Sequence, residues 1–381
     1  MSGRKLGILC YPTPGGSGRI ATQLARRWAR AGDEVYLLGY ERPAGLDPAV
    51  RFRHVHVAEY PLFRYPPYDQ ALAAEIVELY ESRGVRLFHA HYALPHALAL
   101  ALADRMLGGG RLRFVTTLHG TDITLLGGHP AHRRALLHGL CASACVTAVS
   151  RSLAEDTQAL LELEVAPHVV PNFVELERFA GLEAGGGPRA AARREDPYRL
   201  VHVSTLRPVK RVLDLIDGFA LLHARLPVRL CIVGAGPERE LAQRRAVSLG
   251  VAGDVDFAGH QERPESFLQG AELFVYSSRT ESFGLGVLEA MAAGVPVLGP
   301  AVGGVPEVLG PRAAACLPPP ARPLAWARAA ERLLRDAPLW RALADEGRQR
   351  AREEFPVERA LAGYEEAFAI AEGHRQDRGR D

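Results

Sequence analysis

No stretch of this 381-residue chain is long and apolar enough to span a bilayer, and Met1 to Lys5 are expected to lead directly into a strand rather than to form a signal peptide. Cysteine is scarce as well. Cys10, Cys141, Cys145, Cys231 and Cys316 are an odd number scattered through apolar runs, which describes no disulfide framework. Cys141 and Cys145 lie four apart, but without a second Cys/His pair at finger spacing they read as small buried residues. A cytoplasmic, reducing setting is the expectation that follows. An excess of one charge is also missing. The 46 basic and 44 acidic residues leave a formal +2, which gives no argument for nucleic acid or a strongly anionic membrane. No short tandem repeat is visible.

What is present is alternation. The apolar runs "KLGILCY", "EVYLLGY", "RFRHVHV", "RLFHAHY", "RFVTTLH", "CVTAVS" and "HVVPN" are separated by helical patterns, among them Arg19–Ala31, Gln70–Ser82 and Pro95–Leu107. Strand and helix in turn imply a parallel sheet covered on both faces. The pattern breaks over residues 182–197, "LEAGGGPRAAARREDP", which has no core periodicity and reads as a linker or exposed loop. It then restarts with "YRLVHVS", "VRLCIVG", "DVDFAG", "ELFVYSS" and "VPVLG". The expected architecture is α/β, with two doubly wound, Rossmann-like domains facing a cleft. The first spans 1–181 and is completed by a C-terminal helix over 357–373; the second spans 198–355.

Three stretches carry chemistry. In "CYPTPGGSG" a strand runs through a glycine-rich turn into a helix that is expected to start near Gly18–Arg19, so backbone amides are offered to a ligand. In "STLRPVKR" Arg207 and Lys210 stand three apart at a strand end, a cation pair suited to a diphosphate; alone, a solvated basic turn fits equally. In "RTESFGLGVLEAMAAGVPVLG" Glu281 lies in the loop after a strand and Glu289 eight residues on, with Ser282, Phe283, Gly284, Leu285 and Gly286 supplying amides at a helix head. Two glutamates at that spacing also describe a solvated helix face.

Together these stretches carry a resemblance. "ESFGLGVLEAMAAGVPVLG" is similar to the Glu-x7-Glu motif of the retaining family 4 glycosyltransferases, "RPVKR" resembles their diphosphate clamp, and "VGAGPE" resembles their second-domain glycine turn. The likeness covers almost the whole chain. It implies the two-domain GT-B fold, a nucleotide-sugar donor and no catalytic metal. "CYPTPGGSG", "YPLFRYPPYD", "HAHYALPHA", "TTLHGTDITLLG" and "VVPNFV" resemble one branch in particular. Its members move N-acetylglucosamine from UDP-GlcNAc to the hydroxyl of L-malate in bacillithiol biosynthesis.

Carried over residue by residue, the resemblance gives Arg207 and Lys210 the diphosphate and Glu289 the ribose. Glu281 and the amides of Ser282 to Gly286 take the donor sugar and phosphate, with Gly16 facing them from the first domain. His119 stands at the reacting centre, and the catalytic set is His119, Glu281, Arg207 and Lys210. Gly15, Gly16, Ser17, Tyr92, Thr121 and Asn172 are expected at the acceptor. The motif opens Glu-Ser-Phe-Gly where many members have Glu-Gly-Phe; serine keeps the amide. His89, His91 and His119 make a trio of imidazoles, but no acidic or cysteine partner stands at ligand spacing, so no metal is expected. The aromatic–proline loop Tyr60–Tyr68 is read as packing over the cleft edge or forming a subunit contact, which leaves a homo-oligomer open. Nucleic acid and stable membrane insertion are not expected. Another acceptor, such as inositol phosphate, a lipid or a glycan, is the enzymatic alternative; a nucleotide-binding regulator without catalysis is the other.

Overall fold

The computed structural model describes residues 3–13, 15–57, 67–127, 130–182, 187, 196–314 and 322–373. The chain divides into two compact units, one of Met1–Asn172 with Ala360–Asp381, the other of Phe173–Arg359.

The first unit holds β1 (Lys5–Leu9), β2 (Glu34–Gly39), β3 (Arg51–His54), β4 (Leu87–His91), β5 (Arg113–Leu118), β6 (Cys145–Ala148) and β7 (His168–Val169). They form one parallel sheet in the order β3-β2-β1-β4-β5-β6-β7. Its helices are α1 (Gly16–Arg30), α2 (Tyr68–Arg83), α3 (Leu98–Met106), α4 (Pro130–Ala142) and α5 (Arg151–Leu161). In α1 the apolar residues recur at helical spacing, so Ile20, Ala21, Leu24, Ala25 and Trp28 are all buried along one stripe. Each large side chain so covered stabilises the fold by about 1.5–3 kcal/mol. The last helix, α12 (Val357–Gly373), packs Tyr364 and Phe368 near Trp28, whose Nε1–H donates to Glu365 at 2.8 Å. Arg4 donates to the same carboxylate at 2.7 and 2.9 Å.

The second unit has β8 (Tyr198–Val203), β9 (Val228–Val233), β10 (Val255–Gly259), β11 (Leu273–Val275) and β12 (Val297–Leu298), parallel in the order β10-β9-β8-β11-β12. Around it lie α6 (Val212–His223), α7 (Arg239–Ser248), α8 (Leu285–Ala292), α9 (Val305–Ala314), α10 (Pro323–Arg335) and α11 (Ala337–Glu354). Leu215, Ile216, Phe219 and Leu222 of α6 share a buried core with Trp326, Leu333 and Leu334 of α10. In each sheet the winding reverses once, between β1 and β4 and between β8 and β11. Ligands of doubly wound sheets bind at the carboxyl ends of such strand pairs. The loops that follow these four strands stand at those ends.

Three expectations need correction. Residues 173–181 belong to the second unit, not the first. The reason is pairing: Val174 N–H donates to Phe355 at 3.0 Å, and Arg178 bonds the buried Glu265 at 2.8 Å. Helix α1 begins at Gly16, two residues before the expected start, because glycine's poor helix propensity hides the first turn. The expected helix over Pro95–Leu107 is a wide turn over Ala93–Ala97 followed by α3, since proline offers no amide to a helix interior. Most of the 182–197 stretch, most of the Tyr60–Tyr68 loop and Cys316 lie outside the described residues.

Candidate active site

In the first unit the chain leaves β1 at Cys10 and reaches α1 at Gly16. Gly15 is the helix's N-cap and has no side chain with which to cap it, so the first-turn amides are not claimed from that position. Gly16 sits at φ +56, and a Cβ on either Gly15 or Gly16 would meet nothing within 4 Å. The close approach is at Gly18, where a Cβ would stand 2.2 Å from the Thr13 carbonyl. Within the protein, packing therefore claims Gly18, and the room lies at Gly15 and Gly16. Ser17, buried in the first turn, shares a 2.7 Å hydrogen bond with the Tyr92 hydroxyl.

Tyr92 follows β4 directly and has a positive φ of +88, and its N–H donates to Thr117 at 2.9 Å. A non-glycine residue held there is the kind of strain that clusters at functional sites. Its ring centroid lies 5.3 Å from Tyr11 and 5.2 Å from His119. The structure thus groups Ser17, Tyr92 and His119 behind Gly15 and Gly16. Thr121 and Asn172 share no hydrogen bond with that group among the described residues, and Asn172 keeps a buried Oδ1 without a partner.

The imidazole trio does not assemble as ligands. His89 turns Nε2 to Thr117 at 2.7 Å and is packed against Trp28 and Tyr364. His91 Nδ1 faces His119 Nε2 at 2.9 Å, the two rings stacked at 18°. Among the described residues no group of three or more His, Cys, Asp and Glu side chains is placed to hold a metal ion. Burial drives these imidazoles toward neutrality: His89 and His119 are lowered to about 3 and His96 to about 4.

Asp122 is the residue that motif reading passed over. Its Oδ1 accepts the Gly120 amide at 3.0 Å and its Oδ2 the Ala93 amide at 3.3 Å. One buried carboxyl thereby ties the His119 loop to the turn after Tyr92. Burial raises it to about 6, against the pull of its backbone donors. An aspartate two residues after a turn glycine was a visible signal for the local bond; nothing in sequence pointed to Ala93.

In the second unit Ser204–Arg211 follows β8. Its shape is set from two sides. A Cβ on Gly234 of the glycine turn would lie 1.8 Å from the Ser204 carbonyl, and Leu206 N–H donates to Ala235 at 2.9 Å. From the other side Ser277 Oγ donates to the carbonyls of Lys210 and Arg211 at 3.0 and 2.8 Å, and Arg279 N–H to Val209 at 2.8 Å. Lys210 Nζ meets Glu281 Oε1 at 2.6 Å, and Ser278 donates to the same oxygen at 2.6 Å. Beneath them His202 bonds Val275 and Ser204; burial lowers it to about 4 and keeps a further cation from the pair. Arg207 is exposed and its guanidinium makes no hydrogen bond or ion pair among the described residues. Gly284, at φ +95, caps α8 without a side-chain bond; Phe283 is buried and Glu289 lies buried in the helix's second turn. The head of α8, Lys210 and Glu281 thus stand at the carboxyl end of β8 and β11. Arginine, lysine and helix-head amides there favour a phosphate-bearing ligand.

Residues 14–178 match the model described as Glycosyltransferase Family 4 and residues 188–350 that of Glycosyl transferases group 1. The chain belongs to the family 4 glycosyltransferases and has their GT-B fold. It is 36% identical over 367 residues, 96% of each chain, to the N-acetyl-alpha-D-glucosaminyl L-malate synthase of Bacillus anthracis. It is 26% identical, over 89% of its length and 87% of the relative's, to the D-inositol 3-phosphate glycosyltransferase of Jonesia denitrificans. Among solved structures, HepE of Anabaena with UDP and glucose matches with a TM-score of 0.75 at 19% identity, covering 96% of this chain and 99% of that one. Sucrose-phosphate synthase of Thermosynechococcus elongatus matches with a TM-score of 0.74 at 21% identity, covering 96% and 98%. No helix among the described residues is long and apolar enough to cross a membrane.

Proposed function

We propose that this glycosyltransferase moves N-acetylglucosamine from UDP-GlcNAc to the hydroxyl of L-malate, with retention at the anomeric carbon. The observation that carries the reading is the 36% identity along 96% of both chains to a relative with that name; the D-inositol 3-phosphate glycosyltransferases stand lower, at 26% and 28% over 89% and 86% of this chain, or at 33% over little more than half of it. The site chemistry supports it. As the sugar–phosphate bond breaks, negative charge grows on the departing UDP diphosphate. Arg207, Lys210 and the amides at the head of α8 are fixed positive groups for that charge. Lys210 is paired with Glu281, so diphosphate competes with Glu281 for the ammonium. Glu281 is then released toward sugar hydroxyls, and Glu289 is the acceptor for ribose hydroxyls. Malate brings two carboxylates. The head of α1, with Ser17 and Tyr92 joined by a hydrogen bond, supplies amides and hydroxyls for one of them.

In this reading the cations do the work that a divalent metal does elsewhere, no metal is needed, and the enzyme acts in the cytoplasm. The test is UDP release from UDP-GlcNAc with L-malate, D-malate, inositol 1-phosphate and glucose as parallel acceptors. L-Malate should give the fastest release. Release driven by inositol phosphate and not by malate would replace the acceptor and keep the family.

A further inference from the structure

Three histidines beside the first unit's site leave an accounting of protons that the glycosyl-transfer reading does not use. His96 Nδ1 lies 2.5 Å from the His91 carbonyl, which can only accept, so His96 carries its proton on Nδ1. His91 is fully buried, and its Nδ1 lies 2.9 Å from His119 Nε2. Two neutral imidazoles facing each other hold one hydrogen between those two nitrogens. Were His119 the donor, the single proton of His91 would sit on Nε2, a buried atom with no partner. An orphaned buried N–H is rarer in proteins than an under-satisfied acceptor. With His91 as donor, the buried atom left over is only a lone pair. His119 must then carry its own proton on Nδ1, the nitrogen that makes no hydrogen bond among the described residues.

We propose that His91 is a positioning residue that fixes the tautomer of His119, so that His119 presents an N–H and not a lone pair to its ligand. His119 is thereby a hydrogen-bond donor toward a substrate oxygen and not a general base. Asp122 completes the arrangement by holding the backbone on both sides, at Gly120 and Ala93. The role of His119 in turnover rests on the glycosyltransferase reading above; its tautomer does not. Which nitrogen of a histidine is protonated is set by the bond its other nitrogen makes.

The experiment uses the full chain with 15N-labelled imidazoles and reads long-range proton–nitrogen correlations at neutral pH. His119 should show a protonated Nδ1 and a bare Nε2. In His91→Phe the proton should redistribute to Nε2, and kcat with UDP-GlcNAc and L-malate should fall roughly tenfold or more, the scale on which an orienting partner of an imidazole acts. In His91→Asn, whose amide can donate from nearly the place of Nδ1, the wild-type tautomer should persist. A wild-type spectrum with His119 protonated on Nε2 overturns the inference even if the Phe variant does not fold. So does a folded His91→Phe protein with an unchanged His119 spectrum. Because the spectrum needs no substrate, a failed acceptor assay leaves this result standing, and a failed tautomer leaves the transferase reading intact.

Discussion

Lys210 and Glu281 are held 2.6 Å apart with only a sixth of each side chain exposed, and the proposed function has diphosphate take the place of Glu281 on the ammonium. Removing the ammonium in Lys210→Ala takes away one charge-assisted contact, worth about 1.5–3 kcal/mol. UDP affinity should fall between about tenfold and a hundredfold by calorimetry; an unchanged affinity would remove Lys210 from the donor site. Asp122→Asn tests the other unit. Gly120 and Ala93 donate to different oxygens of Asp122, and asparagine keeps only one of the two, so one of these amides faces an NH2 group in place of an acceptor. A folding cost of about 1–3 kcal/mol is expected, with a larger loss in kcat than in UDP affinity. Equal losses in both would make Asp122 a stability residue alone. At this scale the sequence was informative wherever a motif is local: Arg207, Lys210 and Glu281 stand at the strand ends that motif reading assigned them. It was silent where the partner is remote. His91 and His119 are 28 positions apart, brought together because β4 and β5 pair in parallel with His91 against Thr117, and no local pattern records that pairing.

The head of α1 depends on two glycines for different reasons. At Gly18 a methyl would be driven into the Thr13 carbonyl at 2.2 Å, so Gly18→Ala must displace the loop that leads to the helix. At Gly16 the obstacle is only φ +56, which costs an L-residue about 1–2 kcal/mol. Thermal unfolding should show Gly18→Ala the more destabilised of the two. Malate KM should rise in both, while UDP affinity stays within about twofold. Equal stabilities would mean that the loop yields freely. Each of the twelve expected runs contains a strand; most are legible because buried parallel strands are continuous apolar runs, while β3 and β7, at the two edges of the first sheet, are not buried. Helix edges were not legible. Glycines disguise the first turn of α1, and residues 173–181 join the second unit through pairing with Phe355, a partner beyond any local window.

For the molecule as a whole, buried neutral histidines set the response to acid. His89, His96 and His202 have folded values of about 3 to 4 against an ordinary 6.5, and His91 lies well below it. Below pH 6.5 the unfolded chain takes up protons that the folded chain refuses, so the stability they confer is complete above that pH and is lost on acidification. Each contributes a slope of about 1.4 kcal/mol per pH unit in that window. Asp122, raised to about 6, works the other way between its ordinary 3.8 and that value, one group against several. The urea midpoint should be lower at pH 5.5 than at pH 7.5; an equal or higher midpoint at pH 5.5 would contradict neutral burial. The whole-chain claim, that the protein joins N-acetylglucosamine to malate without a metal, is tested most directly on the product. UDP-GlcNAc and L-malate are incubated with the enzyme after exhaustive chelation, and the product is identified by mass and by the coupling of its anomeric proton. The expected product is an α-linked N-acetylglucosaminyl malate with UDP released in equal amount. A β-linked product, a reaction that stops with chelator and resumes with a divalent ion, or no malate adduct at all would contradict it.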